Sequence, residues 1–269
     1  MNGYFDTNIY NRILDDPHKE SIIKKIKKKG IIPIPSAINL CEILSTSDEN
    51  RKNDLVNIYN TIRNNYFPLK PYTWLLKESV EAVEKGMEEI EVNYPIEVNK
   101  DTEDLCRKIT SNKGIELEKY IQGARKYVQE KIKEMKIADE KSFFAYADGE
   151  NDFSISLFDD LCQAMGIKHN LNRKQILGIL QSHSMPWLYI LDAFLYLFYR
   201  RPFKSEGYGK RSNPEVADLE QSGYLFWADL FVIKDDAFFS FMKELKQLRG
   251  YEKEIMNYSE FKKHLGFTN

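Results

Sequence analysis

Cysteine is scarce in this chain, and that scarcity sets the first limits. Cys41, Cys106 and Cys162 are odd in number, far apart and form no Cys-x-x-Cys pair. Their spacing suggests neither a disulfide framework nor a zinc ribbon. Histidine is almost as sparse: His18, His169, His183 and His264 show no metal-ligand spacing. An excess of either charge is also missing, with 39 basic residues against 41 acidic ones and a formal charge of -2. Without a global polycation, any hold on nucleic acid must come from local patches. That counts against a protein that merely coats DNA or RNA, and leaves an enzyme with a charged groove open. The first residues, Met-Asn-Gly-Tyr-Phe-Asp, have neither the basic nor the apolar region of a signal peptide. The longest apolar stretch, Met185 to Tyr199, is interrupted by Asp192 and falls short of the roughly 20 residues that span a bilayer. The expectation is a soluble cytoplasmic protein with no membrane association.

What is present is enough apolar sequence for a sizeable core: 42% of 269 residues, a length between one large domain and two small ones. Residues 1–66 alternate strand and helix patterns. Tyr4-Phe5 is a short apolar segment ending at Asp6, and Ile9 to Leu14 and Pro17 to Lys29 read as helices, Pro17 suiting a first turn. Ile31 to Ile34 reads as a second strand, in which Pro33 removes a ladder donor that an interior strand would need. Pro35-Ser36 opens a helix whose apolar stripe is Ala37, Leu40, Cys41 and Leu44, and Asp48 caps another running towards Asn65. From 67 to 211 no alternating strand pattern stands out. Charged helical segments dominate, giving a helical insertion or cap, or equally a separate helical domain. The α/β pattern returns over 212–269. Asn213-Pro214 starts a helix through Val216, Leu219, Gly223 and Phe226. Leu230 to Ile233 is a compact strand, and a helix follows Asp235-Asp236 through Leu248. Strands alternating with helices predict a parallel α/β sheet.

The acids fall where such a sheet binds ligands. Asp6 follows the first strand and Asp235 the strand Leu230 to Ile233, so both reach the carboxyl edge from opposite ends of the chain. Glu42 lies two turns into the helix after the second strand, and Asp218 in the first turns of the helix opened by Pro214, both off the apolar stripes. Four carboxylates at one edge would repel one another unless divalent cations neutralised them, and an all-oxygen set favours Mg²⁺ or Mn²⁺. Such ions serve phosphodiester hydrolysis without a histidine or cysteine nucleophile. Each acid taken alone has a plainer reading. Asp6 could cap the helix from Ile9, Glu42 could be an exposed helix residue, and Asp218 a first-turn acid favoured by the dipole. Asp229 competes with Asp235 for the last position. Were the Asp218 helix to run on to it, the two would lie ~16 Å apart, too far to share an ion. At the start of a strand, Asp229 would sit at the wrong edge. Asp236 is a supporting neighbour of the site.

Tyr4-Phe-Asp-Thr-Asn-Ile-Tyr10, Pro35-Ser-Ala-Ile-Asn-Leu-Cys-Glu-Ile-Leu44, and Ala217-Asp-Leu-Glu through Phe231-Val-Ile-Lys-Asp-Asp-Ala-Phe238 together resemble the PIN-domain family. The resemblance covers about 120 residues at the two ends, with Ile233-Lys234 standing where the family commonly has a hydroxyl before its last acid. It implies a three-layer α/β/α fold with a parallel central sheet, discontinuous over 1–66 and 212–269 and interrupted by the helical insertion 67–211. It also implies Mg²⁺- or Mn²⁺-dependent cleavage of RNA, or less often DNA, by Asp6, Glu42, Asp218 and Asp235, supported by Asn8 and Ser36. Many bacterial members are toxins paired with an antitoxin, so an antitoxin-like partner is a further implication. A non-catalytic relative, binding protein or nucleic acid through its helical middle, is the competing expectation. An aspartyl-nucleophile phosphatase would want an Asp where Asn8 stands.

Two secondary signals remain. Arg200, Arg201, Lys204, Lys210 and Arg211 crowd one segment among Tyr199, Phe203 and Tyr208, a mixture suited to phosphate contact and base stacking, or to a solubilising loop. The run Lys24 to Lys29 reads as the wet face of a helix. The aromatic run from Trp187 to Tyr199 reads as helical core, with a partner surface such as a homodimer contact as the alternative.

Overall fold

Four short strands, Asn2–Phe5 (β1), Ile32–Pro33 (β2), Leu230–Ile233 (β3) and Glu254–Asn257 (β4), form one all-parallel sheet in the order β2-β1-β3-β4. The computed structural model describes residues 1–63, 72–87, 130, 140–147, 152–164, 166–181, 186–203 and 216–267. Among these, 1–63 and 227–267 belong to one compact unit, which holds the sheet, and those from 72 to 226 belong to a second, helical unit.

The sheet is built from the two ends of the chain. Gly3, Tyr4 and Phe5 pair with Leu230, Phe231 and Val232, and Leu230 to Ile233 pair in turn with Glu254 to Asn257. β2 is an edge strand, which resolves the difficulty of Pro33. Its flanking amides, Ile32 N and Ile34 N, donate to Met1 O and Gly3 O at 2.8 Å each, and the residue between needs no donor towards β1. Side chains alternate across β1 and β3. Phe5, Leu230 and Val232 join the core made by Thr7–Asp15 (α1), Lys19–Lys28 (α2), Ala37–Leu44 (α3), Glu49–Arg63 (α4) and the C-terminal helix Tyr258–His264 (α12). Tyr4 and Phe231 stack on the other face at 4.8 Å, and Phe231 meets Phe238 there edge-on at 6.2 Å.

These two faces follow from handedness. The connection from β1 through α1 and α2 moves to β2, on one side. The connection from β3 moves to β4, on the other side. Right-handed crossovers in opposite directions place their helices on opposite faces.

Every strand and helix expected in 1–63 and 230–249 is present. β4 and α12 were not expected, because β4 offers only Ile255 and Met256 between polar ends. The signal for α12 lay in Asn257 and Glu260, which form a reciprocal capping box. Cys41 is disulfide-bonded, contrary to the expectation from spacing, since separation along the chain does not determine which sulfurs meet. Cys162 is a free buried thiol, pushed up to about 12 by burial and then by Asp159.

Among the described residues the second unit contains Tyr72–Glu84 (α5), Glu140–Ala147 (α6), Asp152–Ala164 (α7), Arg173–Gln181 (α8), Trp187–Phe203 (α9), Val216–Gln221 (α10) and the 3-10 turn Ser222–Phe226. α9 is its centre and is buried from Trp187 to Phe198. Trp187 packs on Phe158 and donates to Leu76 O at 3.3 Å, while Phe143 meets Tyr196 and Tyr199. The aromatic run is therefore core of this unit, as the plainer reading held, and not an exposed partner surface. Among the described residues no helix is long and apolar enough to cross a membrane.

After β3 the chain enters Asp236–Arg249 (α11), which ends at Gly250 with φ 69°, before β4 and Tyr258–His264 (α12). A Cβ on Gly250 would meet nothing within 4 Å, so only backbone strain opposes one. Gly250→Ala is expected to cost about 1 kcal/mol in urea unfolding, and a stabilised variant would contradict this account of the turn.

Candidate functional site

In a sheet of order β2-β1-β3-β4, β1 and β3 are neighbours whose connections leave in opposite directions. That makes the carboxyl ends of β1 and β3 the topological switch point, where open α/β sheets form their ligand crevice. Asp6 follows β1 directly, and its amide donates to Val232 O at 3.0 Å, which seats it against the end of β3. Lys234 and Asp235 follow β3.

Asp6 occupies the N-cap position of α1; a capping bond of regular geometry is absent, but its carboxylate does accept from the N–H of Asn8, two residues on, so Asp6 serves in part as a cap. Its residue is 6% exposed. Burial first, and then the charge of Glu42, raise its carboxyl from an ordinary 3.8 to about 6. The backbone N–H groups of Lys234 and Asn8 and the Asn8 side chain partly oppose the shift by hydrogen bonding. Among the described residues no lysine or arginine forms an ion pair with Asp6. The supporting contact at Lys234 is made by the main chain.

Glu42 is half-buried on α3 and close enough to Asp6 for their charges to oppose one another. Asn8 is exposed in the first turn of α1. Ser36 is fully buried and caps α3, accepting from Asn39 N at 3.1 Å, while Ser36 N donates to Asn39 Oδ1 at 3.3 Å. Asn39, also fully buried, donates through Nδ2 to Thr7 Oγ1 at 2.9 Å and to Tyr4 OH at 3.4 Å. Neither Asn39 nor Thr7 was expected at the site. The signal available was the Ser36-x-x-Asn39 spacing of a capping box.

The remaining acids are placed differently. Asp235 is on the same edge but exposed, and its Oδ1 accepts from Phe238 N at 2.7 Å as the N-cap of α11. Asp236 is exposed in the first turn of that helix. Asp218 is half-buried on α10, which packs against α9, so this helix is grouped with the helical unit rather than with the returning α/β segment. Asp229 sits at the other edge, where Oδ2 accepts from Asn2 N at 2.7 Å. Among the described residues no group of three or more His, Cys, Asp and Glu side chains is close enough to hold a metal together. Of the four expected ligands, Asp6 and Glu42 lie within electrostatic reach of one another, Asp235 accepts from Phe238 N, and Asp218 is described within the helical unit.

Arg200 is buried in α9 and presents no solvent-facing charge to a phosphate. Arg201 lies on the same helix, its side chain outside the description, and Lys204, Lys210 and Arg211 lie outside the described residues.

No protein-family model, curated protein or solved structure matches the chain. The chemistry of the site must therefore be argued from its donors. Two carboxylates, Asp6 and Glu42, with the Asn8 amide beside them, make an all-oxygen set. Such a set suits a hard cation, and Mg²⁺ in particular keeps most of its water and needs only one or two carboxylates. The mutual opposition of Asp6 and Glu42 is what a cation would relieve.

Two predictions follow from these environments. Asp6 holds its proton more tightly folded than unfolded, so ionising it opposes folding. The Asp6 contribution to metal-free stability is then highest below the unfolded value and falls as pH rises to about 6, by no more than ~3 kcal/mol. In EDTA, Asp6→Asn should gain up to that amount near neutral pH and almost none at about pH 4. A variant less stable than wild type at both pH values would refute the sign. The Tyr10 hydroxyl is fully buried on α1, with its ionisation suppressed by burial and then by Asp6, and it has no hydrogen-bond partner among the described residues. Deleting an unsatisfied donor costs little, so Tyr10→Phe should unfold within about 1 kcal/mol of wild type; a larger loss would show that the hydroxyl is engaged.

Proposed function

We propose that this protein is a divalent-metal-dependent nuclease of the PIN-like kind, hydrolysing phosphodiester bonds with RNA ahead of DNA as substrate. The observation that carries the reading is Asp6: a desolvated carboxylate at the switch point of a parallel sheet, facing a second carboxylate and, among the described residues, paired with no lysine or arginine. A protein gains nothing in stability from that arrangement, and strained ionisable groups of this kind mark sites of function. The resemblance of the three segments to the PIN-domain pattern supports the same reading.

In this account Asp6 and Glu42 hold Mg²⁺ or Mn²⁺, which when bound supplies an activated water and charge stabilisation at the departing oxygen. Asn8 and the N–H of Lys234 orient the Asp6 carboxylate. Asp235 and Asp236 add negative charge at the rim. A binding protein without turnover is the second reading, favoured by the commitment of Asp235 to a helix cap. An antitoxin-like partner belongs to either reading as a proposal.

The two readings separate in one assay. Wild-type protein with Mn²⁺ or Mg²⁺ on mixed RNA and DNA should cleave, and EDTA should stop it. Asp6→Asn and Glu42→Gln should each lower the rate by at least about 100-fold while remaining folded by circular dichroism. Cleavage unchanged in Asp6→Asn would remove the assigned site, and metal-independent binding without turnover would favour the second reading.

A further inference from the structure

Asn39 has more hydrogen bonds than capping requires. A capping box asks of its third helical residue an acceptor for the cap amide, which Glu or Gln commonly supplies. Asn39 meets that demand with Oδ1, which accepts from Ser36 N at 3.3 Å, and this fixes the amide with Nδ2 on the opposite side. Both Nδ2 hydrogens then go elsewhere, to Thr7 Oγ1 at 2.9 Å and Tyr4 OH at 3.4 Å. Tyr4 OH also lies 3.5 Å from Ser36 Oγ, and Tyr59 OH donates to Ser36 O at 3.1 Å. The amide is therefore fully satisfied in a buried place, where a connected polar network specifies one arrangement rather than adding bulk stability.

The network's two ends matter. Thr7 is the residue after Asp6 and opens α1. Asn39 lies one turn before Glu42 on α3, and residues three apart on a helix share a face. The Asn39–Thr7 bond thus joins the starts of the two helices that carry the two candidate ligands.

Resting on the metal-site reading above, we infer that Asn39 is a positioning residue: through Thr7 it clamps the start of α1 to the start of α3 and so sets the separation of the Asp6 and Glu42 carboxylates. Residues that orient metal ligands commonly change affinity by about 10–100-fold when lost. Capping alone predicts a different outcome, because the Thr7 hydroxyl takes no part in the cap of α3.

The test uses the full chain with Thr7→Val, which removes the hydroxyl and keeps the shape, and Thr7→Ser, which restores it. Mn²⁺ affinity is read by electron paramagnetic resonance of the free ion. Thr7→Val should weaken binding about tenfold, and Thr7→Ser should stay within about twofold of wild type. Equal affinity in Thr7→Val and wild type would overturn the clamp. A metal-free arm in EDTA measures the non-additivity of Asp6→Asn and Glu42→Gln in urea unfolding, with and without Thr7→Val. The clamp requires that coupling to shrink in the Thr7→Val background, and an unchanged coupling overturns it. Wild-type protein that takes up no Mn²⁺ would remove the metal reading instead, and the metal-free arm would then decide the clamp alone.

Discussion

The structure turns on one electrostatic constraint: a carboxylate kept out of water at the end of an interior strand, with a second carboxylate held opposite it. Folding would be easier were Asp6 uncharged. Burying the Asp6 side chain disfavours its charge, and Glu42 disfavours it again. Compensation from the backbone N–H groups of Lys234 and Asn8 and the Asn8 amide is only partial. Everything that fixes this opposition is therefore working against a local free-energy gradient, and the rigid elements around it are the ones able to do so. β1 and β3 are paired through Gly3 to Phe5, Asp6 N is tied to Val232 O, and the Ser36–Asn39–Thr7 network ties α3 to α1.

The topology explains why the constraint sits where it does. A parallel sheet whose connections diverge from β1 and β3 leaves a crevice at their carboxyl ends, and both strands hand the chain to a helix there. The two aspartates at these ends have different fates. Asp6 is buried and faces Glu42, while Asp235 is exposed and spends one oxygen on Phe238 N. Equivalent positions in the fold thus differ in environment: one carboxylate is buried opposite Glu42, and the other stabilises the start of α11.

Much of the α/β unit is legible in the sequence, for identifiable reasons. The apolar tripeptides and tetrapeptides ending at Asp6 and Ile233, and the periodic stripes of α1 to α4 and α11, are local signals that tertiary packing had no reason to override. β4 escapes because its two apolar residues are too few for a pattern, and its pairing with β3 is a tertiary event. The site is legible only in part. Asp6 and Glu42 could be picked out because strand ends and helix faces have predictable directions. The cap at Asp235 depends on the dihedral angles at one turn, and the grouping of Asp218 with α9 depends on contacts formed far along the chain. Asn39 is missed because its distinctive feature is the unused half of an amide, which spacing does not reveal. Arg200 looks like a surface cation by composition and is buried by the helix around it.

The central claim is that Asp6 and Glu42 together hold a divalent cation. Its most direct measurement is anomalous diffraction at the manganese edge from crystals of the wild-type chain grown with Mn²⁺. The account predicts an anomalous peak coordinated by both carboxylates, absent from crystals of Asp6→Asn. Full density for both side chains with no peak between them, or a peak held by other residues alone, would contradict it.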